Sequence, residues 1–165
     1  MISFHPRRID KTISDPAEMR EVLHGQTYMT LAMCKDGEPY LVTMNYAYDE
    51  EAGCLYFHCA AEGKKMEYWR ANPVVWGQVL EDRGYLAGQC NYAYRSVHFR
   101  GRVELLHDRE EKRRALRLMI DTLEPDPAPV RKRYIEGASL DKVVVGRVVI
   151  EDMSAKVSPP PQAAA

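Results

Sequence analysis

Two apolar stretches of period two flank the tetrapeptide KDGE, and this hairpin constrains whatever is built around it. YMTLAMC (residues 28–34) and PYLVTMNYAY (39–48) read as paired strands, with KDGE (35–38) as the turn between them. Asp-Gly suits a tight hairpin because such turns need positive φ at their central positions. DEEAG (49–53) turns the chain again into CLYFHC (54–59), and further strands are expected at 74–81, 94–106 and 142–153.

Helix signals lie between these strands. Asp15, Pro16 and Glu18 open a helix that Gly25 closes. A short helix over 64–71 stops before Pro73. Asp108 and Glu111 form a second capping box, followed by Ala115, Leu116, Met119, Ile120 and Leu123 on one face. Pro125, Pro127 and Pro129 mark a loop, and a short helical piece is expected to end at Gly137. About six strands with mostly short connections and a few helices predict a mainly β, α+β protein: an antiparallel barrel with helices outside. Residues 1–157 read as one domain, and the tail SPPPQAAA (158–165) reads as disordered because it has nothing to bury.

Composition excludes several classes. Net charge is −1, so no global field recruits nucleic acid or a membrane, and any anion site must be local. No stretch approaches the ~20 apolar residues of a membrane span, and the N-terminus has no secretory h-region. Cys34, Cys54, Cys59 and Cys90 show no CxxC pairing and read as reduced thiols of a cytoplasmic protein.

The segment YFHCAAEGKKMEYW (56–69) hands a strand over to a helix. A helix N-terminus offers unpaired N–H groups and a positive dipole end, glycine allows close approach, and lysine adds mobile charge. Gly63, Lys64 and Lys65 supply all three, which fits a phosphate; the alternative is a glycine-closed turn with two solvated lysines. In PYLVTMNYAY, Tyr40, Val42, Met44, Tyr46 and Tyr48 share one face, and Leu41, Thr43, Asn45 and Ala47 the other. Asn45 is unexpected within a strand, and if buried its amide needs partners such as a ligand edge. Ser96 and His98 share a face flanked by Arg95 and Arg100; Ser96 alternatively makes a cross-strand hydrogen bond. His58 reads as a structural residue or a ligand contact. No metal site is expected from Cys54, His58 and Cys59, because strand neighbours point to opposite faces. No Walker or GxGxxG motif is present.

The succession of a DG hairpin with PYLVTMNYAYD, then LYFHCAAEGKKMEYWRANPVV, then YRSVHFRGRVEL and a capped helix resembles the pyridoxamine 5′-phosphate oxidase-related FMN-binding split-barrel family. It is most similar to the nitroimidazole-resistance, nitroreductase-like branch, over about residues 15–153. The resemblance implies a six-stranded antiparallel Greek-key split β-barrel with flanking helices, non-covalent FMN, and a homodimer with flavin between the subunits. It implies that Gly63, Lys64 and Lys65 hold the phosphate, helped by His58 and the backbone near Ala60. Val42, Thr43, Met44 and Asn45 would run along the isoalloxazine edge, with Ser96 and Val97 close to the cofactor. Trp76, Asn91 and Tyr92 would come from the facing subunit. Thr43 stands where many relatives carry proline, and the C-terminal arginine motif of true pyridoxamine phosphate oxidases is missing, which argues against vitamin B6 as substrate. The implied activity is an FMN-dependent oxidoreductase passing electrons to a small electrophile such as a nitroaromatic or quinone, with NAD(P)H as a possible donor. Two alternatives stay open: a flavin-binding or flavin-sensing protein without turnover, and the same barrel holding a deazaflavin or haem.

Overall fold

The computed structural model describes residues 8–136, 140 and 143–158. The end of the expected helical piece at Gly137 and the tail after Ser158 lie outside these residues. The chain runs β1 (Thr12–Ile13), α1 (Pro16–Gly25), β2 (Tyr28–Lys35), β3 (Glu38–Asn45), β4 (Ala47–Asp49) and β5 (Cys54–Cys59). It continues through α2 (Lys64–Ala71), β6 (Val74–Leu86), β7 (Asn91–Leu105), α3 (Arg109–Leu123), α4 (Pro127–Tyr134) and β8 (Val144–Ser158). Asp36 and Gly37 both take positive φ, 51° and 82°, so the DG turn has the primed geometry that strand twist favours.

The strand order is β3-β2-β6-β7-β8-β5-β4, with β1 beside β8 and all pairings antiparallel. The two ends of this order, β3 and β4, are consecutive in the chain and separated by Tyr46 alone. The sheet must therefore curl until its ends meet, which makes it a barrel. Closure is incomplete. β4 pairs with Cys54 to Tyr56 of β5, whereas β3 pairs only with β2. Beyond Tyr56, β5 has no ladder partner on that side among the described residues, and the barrel is split there.

Inside lie Met29, Leu31, Tyr46, Phe57, Val97 and Phe99, all fully buried. Tyr46 donates its hydroxyl to the Leu23 carbonyl at 2.6 Å, tying the bend to α1, and burial pushes its phenol well above the usual range. A second core, including Ala47, Cys54, Tyr56, Val145, Ala115 and Met119, forms where α3 covers the outer face of β4, β5 and β8. Asp108 caps α3 by accepting from the Glu110 and Glu111 amides.

All six expected strands form, but among the described residues the count rises to eight. Residues 39–48 break at Tyr46 into two strands, and the two-residue β1 carries too little pattern to read. β6 runs on through Asp82-Arg83-Gly84 to Leu86 and β7 already starts at Asn91, because a register shift between Asp82 and Tyr85 absorbs the irregularity. β8 continues beyond residue 153 to Ser158, which is buried and within hydrogen-bonding reach of Lys11 and Asn91, so the tail cannot begin there. Of the expected loop around Pro125, Pro127 and Pro129, Pro125 and Asp126 do form the connection, while α4 already begins at Pro127. Pro127 stands in its first turn, where a missing N–H costs nothing.

Candidate binding seam and phosphate loop

The split between β3 and β5 leaves strand edges with unpaired backbone groups, and α2 straddles it. Tyr40 of β3 meets Tyr68 of α2 at 5.3 Å between ring centres. On the other side Phe57 of β5 meets Trp69 at 5.2 Å, and Cys59 meets Met66 at 3.9 Å. Burying Met66, Tyr68 and Trp69 anchors the helix and fixes its first turn at the mouth of the seam.

That first turn is uncapped by any side chain. Gly63 is the N-cap with φ 122° and ψ 170°, a conformation that favours glycine. Its carbonyl accepts from the Met66 and Glu67 amides, while no described group accepts from the Lys64 and Lys65 amides. The Lys64 ammonium rests 4.7 Å from the Tyr40 ring centre and 5.5 Å from that of Tyr68. It is thus neither buried nor a purely solvated charge. Lys65 is half-buried, and its charge favours the Cys59 thiolate, although burial still raises that thiol overall.

The expected site residues separate into three groups. Val42, Thr43, Met44, Asn45, Ala60, Gly63, Lys64 and Lys65 lie around the seam. Only Thr43 and Asn45 of the β3 quartet are exposed; Met44 is buried and Val42 packs against the core, so those two can offer only backbone. Asn45 is not buried, contrary to the conditional reading. It ends β3, where its amide donates to the Thr27 carbonyl at 3.3 Å. His58 points away from the barrel interior, into a cleft of about 590 Å³ between β5, α3 and α4.

The second group lies on the outer face of β3, β2, β6 and β7. Register aligns Thr43, Thr30, Gln78, His98 and Ser154 in one row across five strands. Thr30 and Thr43 share a hydrogen bond of 3.0 Å, as do Gln78 and His98. Burial, then the nearby Lys156, pushes the His98 pKa down. Around this row stand Leu41 and Tyr28, each 61% exposed, and Trp76 at 37%. Sequence reading placed Leu41 on the face of Thr43 but did not reach Thr30 and Gln78, because only cross-strand register brings those two to the row. Ser96 is on this face but buried, and Val97 points into the core.

Asn91 and Tyr92 form the third group. They lie eight residues or more along β7 from Arg100, the partner of Trp76, which is about 26 Å for Tyr92 at ~3.3 Å per residue. One chain therefore does not bring them together with Trp76. The flanking arginines are also engaged: Arg95 with Glu18, Glu21 and Glu81, Arg100 with Glu151. Among the described residues no group of three His, Cys, Asp or Glu side chains could hold a metal, and no helix is long and apolar enough to cross a membrane.

A curled antiparallel sheet split beside a glycine–lysine helix start defines a split-barrel protein. The family model for pyridoxamine 5′-phosphate oxidase matches residues 15–157, and the chain belongs to that family. It is similar to an FAD-binding protein of Mesorhizobium loti at 31% identity, covering 90% of this chain and 98% of the other, with a TM-score of 0.67. It is similar to a candidate 5-nitroimidazole antibiotic resistance protein of Bacteroides thetaiotaomicron at 26% identity, covering 88% and 86%, with a TM-score of 0.71. A flavocytochrome of Azotobacter vinelandii shares the fold at 21% identity, covering 97% of this chain and 75% of the other, with a TM-score of 0.79. No curated protein matches the chain.

Proposed function

We propose that the chain is a cytoplasmic flavoprotein that binds FMN in the seam and passes electrons to a small electrophile such as a nitroaromatic or quinone, with NAD(P)H as donor. The observation that carries this reading is the uncapped Gly63-Lys64-Lys65 turn beside the unpaired edge of β3. The residues fit a phosphorylated flavin. Two amides without an acceptor among the described residues and two lysines share the first turn of α2, which suits a phosphate, and a strand edge offers donors and acceptors to a planar heterocycle. Flavin, when bound, supplies the redox chemistry. The chain's part is to grip the phosphate and to line the ring edge with the backbone of Val42, Thr43, Met44 and Asn45. N–H donors along that edge would stabilise negative charge on a bound, reduced flavin ring. No side chain is assigned as acid or base, since His58 turns into the α3–α4 cleft and His98 is occupied by Gln78.

The reading includes a homodimer. The uncovered outer face with Leu41, Tyr28 and Trp76 is the surface a second copy would cover, and a second copy is what could carry Asn91 and Tyr92 to the site. The four cysteines are unpaired, in keeping with a reducing compartment. The test is direct. Apoprotein titrated with FMN should bind about one per chain, and the loaded form should reduce a nitroaromatic or quinone with NAD(P)H faster than free FMN does. Turnover no faster than that of free FMN would refute the catalytic half of the reading; absence of FMN binding would refute all of it.

A further inference from the structure

α4 does not settle fully onto α3, and the cleft of about 590 Å³ beside them has no part in the flavin reading. None of the residues of α4 is fully buried. Arg131 of α4 reaches Asp121 of α3 in an ion pair at 3.1 Å, so charge at the rim helps to join the two helices. The walls are aliphatic: Met119, Ile120 and Leu123 of α3, Val130 of α4, and Val143 just ahead of β8. Leu123, Val130 and Val143 are only half-buried. The end of β5 closes one side. Its side chains alternate, so Phe57 enters the barrel core while His58 turns outward and lines the cleft. Glu124 and Tyr134 stand at its exposed rim.

Small-molecule sites are concave, roughly 300–1,000 Å³ in volume, apolar in their walls and polar at a few points, and this cleft has that form. Its walls select the body of the ligand. They are branched aliphatic side chains, and the Tyr134 ring at the rim already carries the Arg133 guanidinium at 5.1 Å, so a flexible hydrocarbon suits the interior better than a stacked ring. The rim selects the head. Glu124 is the one acidic side chain among the described lining residues and repels a carboxylate, while the Arg133 guanidinium beside Tyr134 repels an ammonium. A hydroxyl escapes both, since it can donate to the Glu124 carboxylate and accept from the Tyr134 hydroxyl. We propose that the cleft is a second small-molecule site, separate from the seam, for a neutral medium-chain aliphatic alcohol, with the chain between α3 and α4 and the hydroxyl at the rim. The site does not depend on the flavin reading. Cys59 lines the cleft and also meets Met66 of α2 at 3.9 Å, so the two sites are neighbours and competition with FMN tells them apart.

The experiment follows N-phenyl-1-naphthylamine, a neutral dye that brightens in apolar surroundings, on the full chain. Wild type should bind about one dye per chain, and 1-decanol should displace it, with decanoate and decylamine each weaker by about tenfold or more. Saturating FMN should leave the dye in place. Val130→Trp should fill the cleft and weaken dye binding by about tenfold or more. Val130→Asp, which sets a charge in the same wall, serves if the bulkier variant fails to fold. Glu124→Gln should bring decanoate closer to decanol. No dye binding, or binding unmoved in a folded Val130 variant, would overturn the site. Displacement by FMN would make the cleft part of the flavin site and overturn its separateness. Decanoate or decylamine displacing the dye as well as decanol does would overturn the hydroxyl class. Failure of FMN to bind at all would count against the flavin reading alone.

Discussion

Lys64 holds two environments within reach of one side chain. Its ammonium rests on Tyr40 and Tyr68, while its amide stands unclaimed at the start of α2. An exposed cation–π contact is worth about 0.5–1 kcal/mol, less than a charge-assisted bond to phosphate at about 1.5–3 kcal/mol. A bound phosphate should therefore draw the ammonium off the tyrosines. Interior glycines show the opposite constraint, that of space. A Cβ on Gly77 would overlap the Phe99 ring, which is fully buried and cannot swing into solvent. Gly77→Ala should cost about 1–3 kcal/mol, read as a lower denaturation midpoint with an unchanged slope. A variant as stable as wild type would mean that the ring has another place to go.

At the scale of elements, the β6–β7 hairpin shows what pattern reading reached and where it stopped. Alternation located both strands, since their inner faces are continuous. The strand expected at 74–81 stops short of the observed end at Leu86, because a register shift after Asp82 leaves no periodic trace. Asn91 and Tyr92 accordingly fall outside the strand expected at 94–106, although they belong to β7. The DG turn, both capped helices and the glycine–lysine helix start were legible, because each rests on local chemistry. The seam was not, since it depends on which strands end up at the two limits of the sheet. The Gln78–His98 pair was equally hidden, and it carries a pH signature. Burial holds the folded-state pKa of His98 below that of the unfolded chain, so the unfolded state takes up the proton first as pH falls. This contribution is fully present above the ordinary histidine range and is lost as pH drops through it. His98→Gln should therefore lose less thermal stability than wild type between pH 7 and pH 5; equal losses would show that His98 does not titrate against folding.

The whole molecule is decided at Tyr46. One residue joins the two terminal strands of the sheet, so curling is imposed by connectivity, and the bend that closes one end of the barrel opens the seam at the other. The curled sheet then presents two outer faces. α3 covers that of β4, β5 and β8, while the face of β3, β2, β6 and β7 keeps Leu41 and Tyr28 exposed around a hydrogen-bonded polar row. Sedimentation equilibrium at micromolar concentration should give twice the chain mass, and Leu41→Glu should lower it toward that of one chain. A single-chain mass for the wild type would remove the dimer and with it the role given to Asn91 and Tyr92.

The central claim is that the seam is a flavin site because the α2 start grips a phosphate. The most direct measurement compares FMN and riboflavin dissociation constants at low salt for wild type and the Lys64→Ala/Lys65→Ala double variant. Losing two charge-assisted bonds predicts FMN binding weaker by about 10²-fold or more, with riboflavin, which lacks the phosphate, bound alike by both proteins. An unchanged FMN dissociation constant in a folded double variant would contradict the account and return Lys64 and Lys65 to the role of surface charges.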